Sequence, residues 1–340
     1  MTEMMPAWRR ETYGSADGFR LEQVPVPVPR SGEVVLRVEA TALHAGDVRL
    51  MLGDPLIVRP VFGLTRPRYP VRGMEVAGTV VAVGPNAIGA ELGERVVGEL
   101  TGGGGLASHV AVPAARLVPV RPDVASATAA CLTISAGTAW QALDLAGVGL
   151  RHARGDTAGQ VPRVLVIGAS GGVGTFMVQL AALRGAEVWA TCGERNSRLV
   201  EHLGAVHTFD HRTSPLADLP AGHFDAVIDI AGGIGLRELQ RLVVAGGSVV
   251  LVAGDGGHVL GPVPRMLKAV FLSIGSHRRI RPLAAAPRPE ILAKLLELTA
   301  EGRIAPVIER EYGFDEASAA LAHLEAGHTV GKLVVHAAFE

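Results

Sequence analysis

Apolar residues along this chain follow two rhythms. Up to about residue 120 they come as alternating or β-branched runs divided by Gly and Pro. Residues 33–40 (EVVLRVEA) alternate as a strand with one buried face does, and residues 73–84 (GMEVAGTVVAVG) form a β-branched run bounded by glycine. Further strands are expected in 92–100 (LGERVVGEL), after a turn, and in 106–112 (LASHVAV). The stretch FRLEQVPVPVPR, with its alternating Pro, reads as an edge or extended segment. ALHAGDVRLMLGD predicts a loop followed by one or two helical turns. Short strands at this spacing, with little helix, predict a small barrel-like β domain.

From Pro122 the rhythm changes. Residues 123–145 predict Ala-rich helix with Asp123 or Ser126 as N-cap, and 147–160 predict a surface loop. Strands and helices then alternate. Strands are expected at 164–167, 187–192, 205–210, 225–230, 247–253 and 269–275, with helices at 197–203 and 236–244 between them. That alternation predicts a doubly wound parallel sheet. A helix at 289–301, a strand at 306–312, a helix at 316–326 and a strand at 332–335 close the chain.

The first strand-to-helix junction carries the strongest chemical signal. Residues 161–185 (VPRVLVIGASGGVGTFMVQLAALRG) pass through a turn with four glycines in seven residues, Gly168, Gly171, Gly172 and Gly174. Val173, Phe176, Met177, Leu180 and Leu183 then recur at helical steps, closed by Arg184 and Gly185. Gly171 lets bare backbone approach a pyrophosphate, Gly174 lets the helix pack closely on the strand, and free N–H groups at the helix start face the anion. The loop Ala169, Ser170, Gly171, Gly172, Val173 and Gly174 is thus the expected cradle of a dinucleotide. An NAD site places Asp or Glu roughly 20 residues beyond such a loop to hold the ribose hydroxyls. Here Thr191, Cys192 and Gly193 offer no carboxylate, and Arg195 supplies a fork suited to a 2′-phosphate. NADPH is the expected cofactor, although Glu194 beside that arginine opposes a phosphate.

Composition narrows the rest. A length of 340 residues predicts two domains. With 32 basic and 33 acidic residues the chain has no field to gather nucleic acid or a membrane surface, so a small molecule is the expected partner. No apolar run approaches the roughly 18 residues of a membrane span. The opening MTEMMPAWRRETYGS has neither an apolar h-region nor a small-residue cleavage site, which leads to the expectation of a soluble, cytoplasmic protein. Cys131 and Cys192 fall in different elements and are expected to be buried thiols, with no disulfide framework or Cys-rich zinc site.

Four segments, in this order, resemble the medium-chain dehydrogenase/reductase superfamily in its zinc-independent quinone oxidoreductase-like branch. They are FRLEQVPVPVPRSGEVVLRVEATALHAGDVR, GMEVAGTVVAVG with LGERVVGE, VLVIGASGGVGTFMVQLA, and GRIAPVIEREYGFDEASAALAHLEAGHTVGKLVV. The resemblance implies an α/β fold: a Rossmann doubly wound parallel sheet, 126–282, inserted into a GroES-like β-rich catalytic domain, 1–125 and 283–340. It further implies Thr138 near the cofactor, Ala231 and His211 beside the adenosine, and the backbone of Ala253 and Gly254 at the nicotinamide carboxamide. A homodimer through the last Rossmann strand is also implied. The charged string 277–281 (HRRIR) is expected to be a solvated or subunit-contact face.

In the zinc-dependent branch a Cys stands at the position of His44, three residues before Asp47, a His stands at Met74 before Glu75, and the third ligand falls at about Ile134 or Ser135. Catalytic zinc needs three protein ligands, so no metal is expected. The zinc-free branch carries Asn at position 44. His44 is therefore expected either to protonate the product enolate or polarise the substrate oxygen, or to be a hydrogen-bonded structural residue. Tyr69, just before Gly73, and water are the alternative proton donors, and Asp47 is expected to order the loop. The implied reaction is NADPH-dependent hydride transfer to a quinone or an α,β-unsaturated carbonyl, in a pocket lined by 50–69 and 257–268. Two other readings stand beside it: altered chemistry such as carbonyl reduction or cyclisation, and a non-enzymatic NADPH-binding sensor.

Overall fold

The computed structural model describes residues 3–149, 161–252 and 256–337. The chain forms two compact units, Met1–Gly137 with Pro287–Glu340, and Thr138–Ala286. The division lies at 137/138 instead of 125/126, because the helix that starts at Ser126 packs on strands of the first unit.

β1 (Met4–Arg9) and β2 (Arg20–Pro25) pair as an antiparallel ribbon, a place where the Pro-rich stretch that follows does no harm. β3 (Glu33–Leu43) is the centre of the first unit. It drives Val34, Leu36 and Val38 into a core with Val76, Val80 and Val96, as its alternation requires. After α1 (Ala45–Leu52) and α2 (Arg59–Phe62), β4 (Glu75–Val83) lies antiparallel along β3, followed by β5 (Arg95–Glu99) on β4. β6 (His109–Pro113) pairs with residues 33–37 of β3, and β7 (Leu117–Pro119) pairs with β5.

The expected Ala-rich helix is three pieces: α3 (Ser126–Ala130), a π-helical turn (Leu132–Ala136) and α4 (Gly137–Ala146). Neither expected N-cap serves. Ala125 holds that position, while Asp123 pairs with Arg121, and Ser126 Oγ is engaged by Glu39 and Arg95.

The second unit contains β8 (Arg163–Ile167), α5 (Gly172–Leu183), β9 (Glu187–Cys192), α6 (Ser197–His202), β10 (Ala205–Asp210), β11 (Phe224–Asp229), α7 (Leu236–Leu242), β12 (Val243–Leu251), α8 (Val263–Ser273) and β13 (Arg279–Pro282). Its six strands are all parallel, in the order β10-β9-β8-β11-β12-β13. That is the doubly wound order 3-2-1-4-5-6, whose crevice opens where the two halves diverge from β8.

The sixth strand corrects the sequence reading. Residues 269–273 belong to α8, and the strand is 279–282, overlapping the charged string 277–281. As an edge strand β13 needs one inward side chain, Ile280, and its arginines keep the open edge charged.

The chain then returns to the first unit through α9 (Pro289–Ala300), β14 (Ile308–Tyr312), α10 (Ala317–Ala326) and β15 (Lys332–His336). β15 pairs with residues 40–43 of β3, directly beyond the part taken by β6, and so closes the first sheet with the far end of the chain. No helix among the described residues is long and apolar enough to cross a membrane.

Candidate functional site

In the second unit, β8 delivers the glycine turn to the crevice. Gly168 has φ +86°, and a Cβ there would sit 3.1 Å from the Ala231 nitrogen. A Cβ on Gly174 would come within 2.2 Å of the Gly168 carbonyl oxygen, so helix and turn approach only because that residue lacks one. At Gly171 a Cβ would meet nothing closer than the Gly168 oxygen at 3.7 Å. Its bare face therefore points outward, where a phosphate needs it. α5 begins at Gly172, which leaves the N–H groups of Gly172, Val173 and Gly174 outside the helix ladder.

Beside this turn lies a cavity of about 400 Å³. It gathers Ser170, Cys192, Gly193, His211 and Ala231 from the sequence-predicted set and Thr191 from the strand end already noted, together with Ser214, Leu216, Ile234 and Glu238, which the sequence reading did not single out. These residues sit at or beyond the carboxyl ends of β9, β10 and β11, where an open α/β sheet binds ligands. Ala169 is buried beneath the turn and its N–H donates to the Thr191 carbonyl at 3.0 Å. The His211 ring is pinned by Nδ1 at 3.1 Å from the Cys192 carbonyl. The Cys192 thiol is pushed up by burial. No carboxylate ends β9; Arg195 follows in a single 3₁₀ turn, Glu194–Asn196. Thr138, Arg195 and, of the predicted loop, Ala169, Gly171, Gly172, Val173 and Gly174 do not line the cavity, which meets the turn at Gly168 and Ser170. Ala253 and Gly254 lie outside the described residues, as does most of the expected loop at 147–160.

In the first unit, β3 ends at Leu43 and α1 begins at Ala45, so His44 stands in extended backbone at the helix N-terminus. Asp47, fully buried one turn later, gathers three donors. Oδ2 accepts the His44 backbone N–H at 3.1 Å and His44 Nδ1 at 2.8 Å, and Oδ1 accepts the Gly73 N–H at 2.8 Å. A carboxylate only accepts, so Nδ1 carries the proton and Nε2 is the nitrogen left for chemistry. Burial opposes an imidazolium here, but the charge and hydrogen bond of Asp47, aided by Glu75, raise the His44 pKa above its ordinary value. Burial likewise opposes an ionised Asp47, yet His44 and the two backbone N–H groups hold its carboxyl below the usual range.

The sequence reading missed the group that stands behind this pair. Glu75 is fully buried on β4; its Oε1 accepts from Thr133 Oγ1 at 3.0 Å, Ile134 N–H at 2.8 Å and Ser135 N–H at 3.3 Å, and so holds the π-helical turn. Its Oε2 pairs with Lys332 Nζ, which also donates to the Leu43 carbonyl at 2.8 Å and to Ser135 Oγ at 3.0 Å. All three ammonium protons are used. The one available signal was a lysine opening an otherwise apolar strand, KLVV. Tyr69 shares no hydrogen bond with His44 or Asp47 among the described residues; its ring lies 6.5 Å from that of Phe62 and against Gly102.

Residues 30–122 match the family described as alcohol dehydrogenase GroES-like domain, and residues 203–335 match the one described as zinc-binding dehydrogenase. A chloroplast envelope quinone oxidoreductase homolog of Arabidopsis thaliana is 37% identical over 341 residues, covering 98% of each chain. The chain belongs to the medium-chain dehydrogenase/reductase family, in its quinone oxidoreductase-like branch. A 2-methylene-furan-3-one reductase of Solanum lycopersicum is 32% identical over 98% of this chain and 79% of its own. The quinone oxidoreductase of Coxiella burnetii, 24% identical, shares the fold with a TM-score of 0.85 over 98% of this chain and 99% of its own. GroES-like and Rossmann-like architectures are thus both present, as the sequence leads one to expect.

Proposed function

We propose that this member of an oxidoreductase family is a zinc-independent, NADPH-dependent reductase of quinones or α,β-unsaturated carbonyls. The observation that carries the reading is the His44–Asp47 pair: a poised proton donor at a position where metal-dependent relatives place a ligand. The glycine turn fits the diphosphate of a dinucleotide, because Gly171 presents bare backbone and Gly174 permits no side chain, and the cavity beside it, at the ends of β9, β10 and β11, offers room for the adenosine end. The carboxylate-free end of β9 and the nearby Arg195 support a 2′-phosphate and hence NADPH.

The donor set suits a proton better than zinc. Of the candidate ligand positions, Met74 and Ile134 offer no ligand that zinc favours, and Ser135 Oγ already binds the Lys332 ammonium. A second cation there would face that buried charge. When bound, the reduced nicotinamide supplies a hydride to the electrophilic carbon. Reduction of an enone to the saturated ketone, or of a quinone to the hydroquinone, also consumes one proton, which His44 Nε2 holds. Asp47 fixes the ring and stabilises its protonated form. The relatives named for quinone oxidoreductase and furanone reductase activity favour the same substrate classes.

The proposal includes a homodimer through β13. That strand ends the sheet, and the α8 helix packed on it exposes Leu267, Val270 and Phe271. The chemistry is tested with NADPH deuterated at the transferring position and a cyclic enone. Deuterium at the β-carbon of the saturated ketone is expected; deuterium on a carbinol carbon would show carbonyl reduction instead.

A further inference from the structure

Glu238 is an acidic side chain on the wall of a cavity that suits an anionic molecule. Among the described residues it is the only carboxylate lining the cavity of about 400 Å³ beside the glycine turn, and no hydrogen bond or ion pair among them engages its two oxygens. The residue itself is half-buried and fixed by its backbone, whose N–H donates to the Gly235 carbonyl at 3.0 Å in the first turn of α7. The segment that leads into α7 is held as firmly. Asp229, buried at the end of β11, accepts the Gly232 N–H at 2.9 Å and pairs with Arg265 at 2.7 Å, while Arg265 also donates to the Ile234 carbonyl at 2.7 Å. Gly232, Ile234 and Glu238 therefore meet the cavity from a preorganised wall.

The position of this wall decides which part of a dinucleotide it meets. The turn for the diphosphate follows β8, and the groups suited to the ribose and its 2′-phosphate follow β9. β11 lies on the other side of β8, so its end stands two strand spacings from that of β9, about 10 Å. Leu216, beyond β10, and Ile234, beyond β11, give the cavity apolar surface for a flat base, and Glu238 adds a polar group that can fix its orientation.

A carboxylate only accepts, and beside a molecule that carries phosphates it is favourable only where it meets a donor. With its 2′ oxygen phosphorylated, the adenosine of NADPH keeps two donors, the ribose 3′-hydroxyl and the 6-amino group of adenine. The hydroxyl stays beside the 2′-phosphate at the β9 end, whereas the amino group lies on the edge of the base. We infer that Glu238 accepts the 6-amino group and makes the cavity select a base that carries one. The inference rests on the dinucleotide reading of this cavity and needs nothing from the reductase chemistry.

The test is a binding titration, followed by nicotinamide fluorescence, of the wild type, Glu238→Gln and Glu238→Ala. The probes are NADPH and NADH, each beside the analogue whose base is purine, with hydrogen in place of the 6-amino group. The wild type should bind the adenine form about tenfold more tightly in both pairs, the low end of what a hydrogen bond to a charged group is worth. Glu238→Ala should bring both ratios to about one, and Glu238→Gln, whose amide oxygen still accepts, should keep part of them. Equal binding of adenine and purine forms by the wild type, or a ratio that survives in Glu238→Ala, overturns the inference. So does a Glu238→Ala variant that loses affinity for NADH alone with its base ratio intact, since the carboxylate would then serve the ribose. If Glu238→Ala does not fold, Glu238→Gln decides, because loss of the charge must lower the ratio several-fold. Failure of the wild type to bind any of the four probes removes the dinucleotide reading itself, and the inference with it.

Discussion

His44 and Asp47 show how one carboxylate can set both the place and the protonation of a catalytic group. Replacing His44 by Asn should lower kcat by about 10²- to 10⁴-fold, the usual contribution of a positioned proton donor, while NADPH affinity stays the same because the cofactor cavity lies in the other unit. A raised His44 pKa means the imidazolium persists above the ordinary value, so kcat should fall as pH rises through that raised value. Asp47→Asn should move this falling limb to lower pH; a profile that does not move would refute the pairing. The same linkage acts on stability. The contribution of His44 is full below its unfolded pKa of about 6.5 and is lost as pH rises through the folded value, whereas that of Asp47 is present above about 3.9 and is lost as pH falls through its depressed folded value. Lys332 is a purely structural counterpart. Lys332→Met should destabilise the protein by about 3–5 kcal/mol in denaturant unfolding by leaving Glu75 buried and uncompensated. Glu75→Gln in the same chain should recover much of that loss, because the amide oxygen can still hold the Ile134 and Ser135 N–H groups.

At the level of elements, the glycine turn is the part most sensitive to one added carbon. Gly174→Ala forces a Cβ against the Gly168 carbonyl, and should cost about 1–3 kcal/mol of stability and weaken NADPH binding, read by thermal unfolding and fluorescence titration. This junction was legible in the sequence because its period changes within a few residues and its glycines have steric reasons to be there. α8 was not: the apolar block at 269–275 is too short to reveal its period, and only its continuation back to Val263 makes it a helix. β13 was hidden by its charges, since an edge strand with one buried residue carries no apolar alternation. The π-helical turn was equally invisible. Its cause is Glu75, roughly 60 residues away in sequence, whose carboxylate takes the N–H groups of Ile134 and Ser135. Of the candidate site, the residues that act through local backbone were readable, and the buried pair Glu75 and Lys332, which meet across 257 positions of sequence, were not.

At the scale of the whole molecule, each unit holds one half of the proposed chemistry: a dinucleotide cavity in one, a proton donor in the other. The open edge of β13 and the exposed apolar face of α8 predict a dimer. Sedimentation should find it in the wild type, and Phe271→Asp, which charges a side chain that is 70% exposed, should shift the population toward monomer. The family's two chemistries, with and without metal, separate on a single measurement: turnover of a panel of quinones and enones with NADPH and with NADH, before and after exhaustive treatment with a metal chelator. Reduction that prefers NADPH and continues undiminished after chelation is the predicted result. Activity abolished by the chelator and restored by zinc would contradict it.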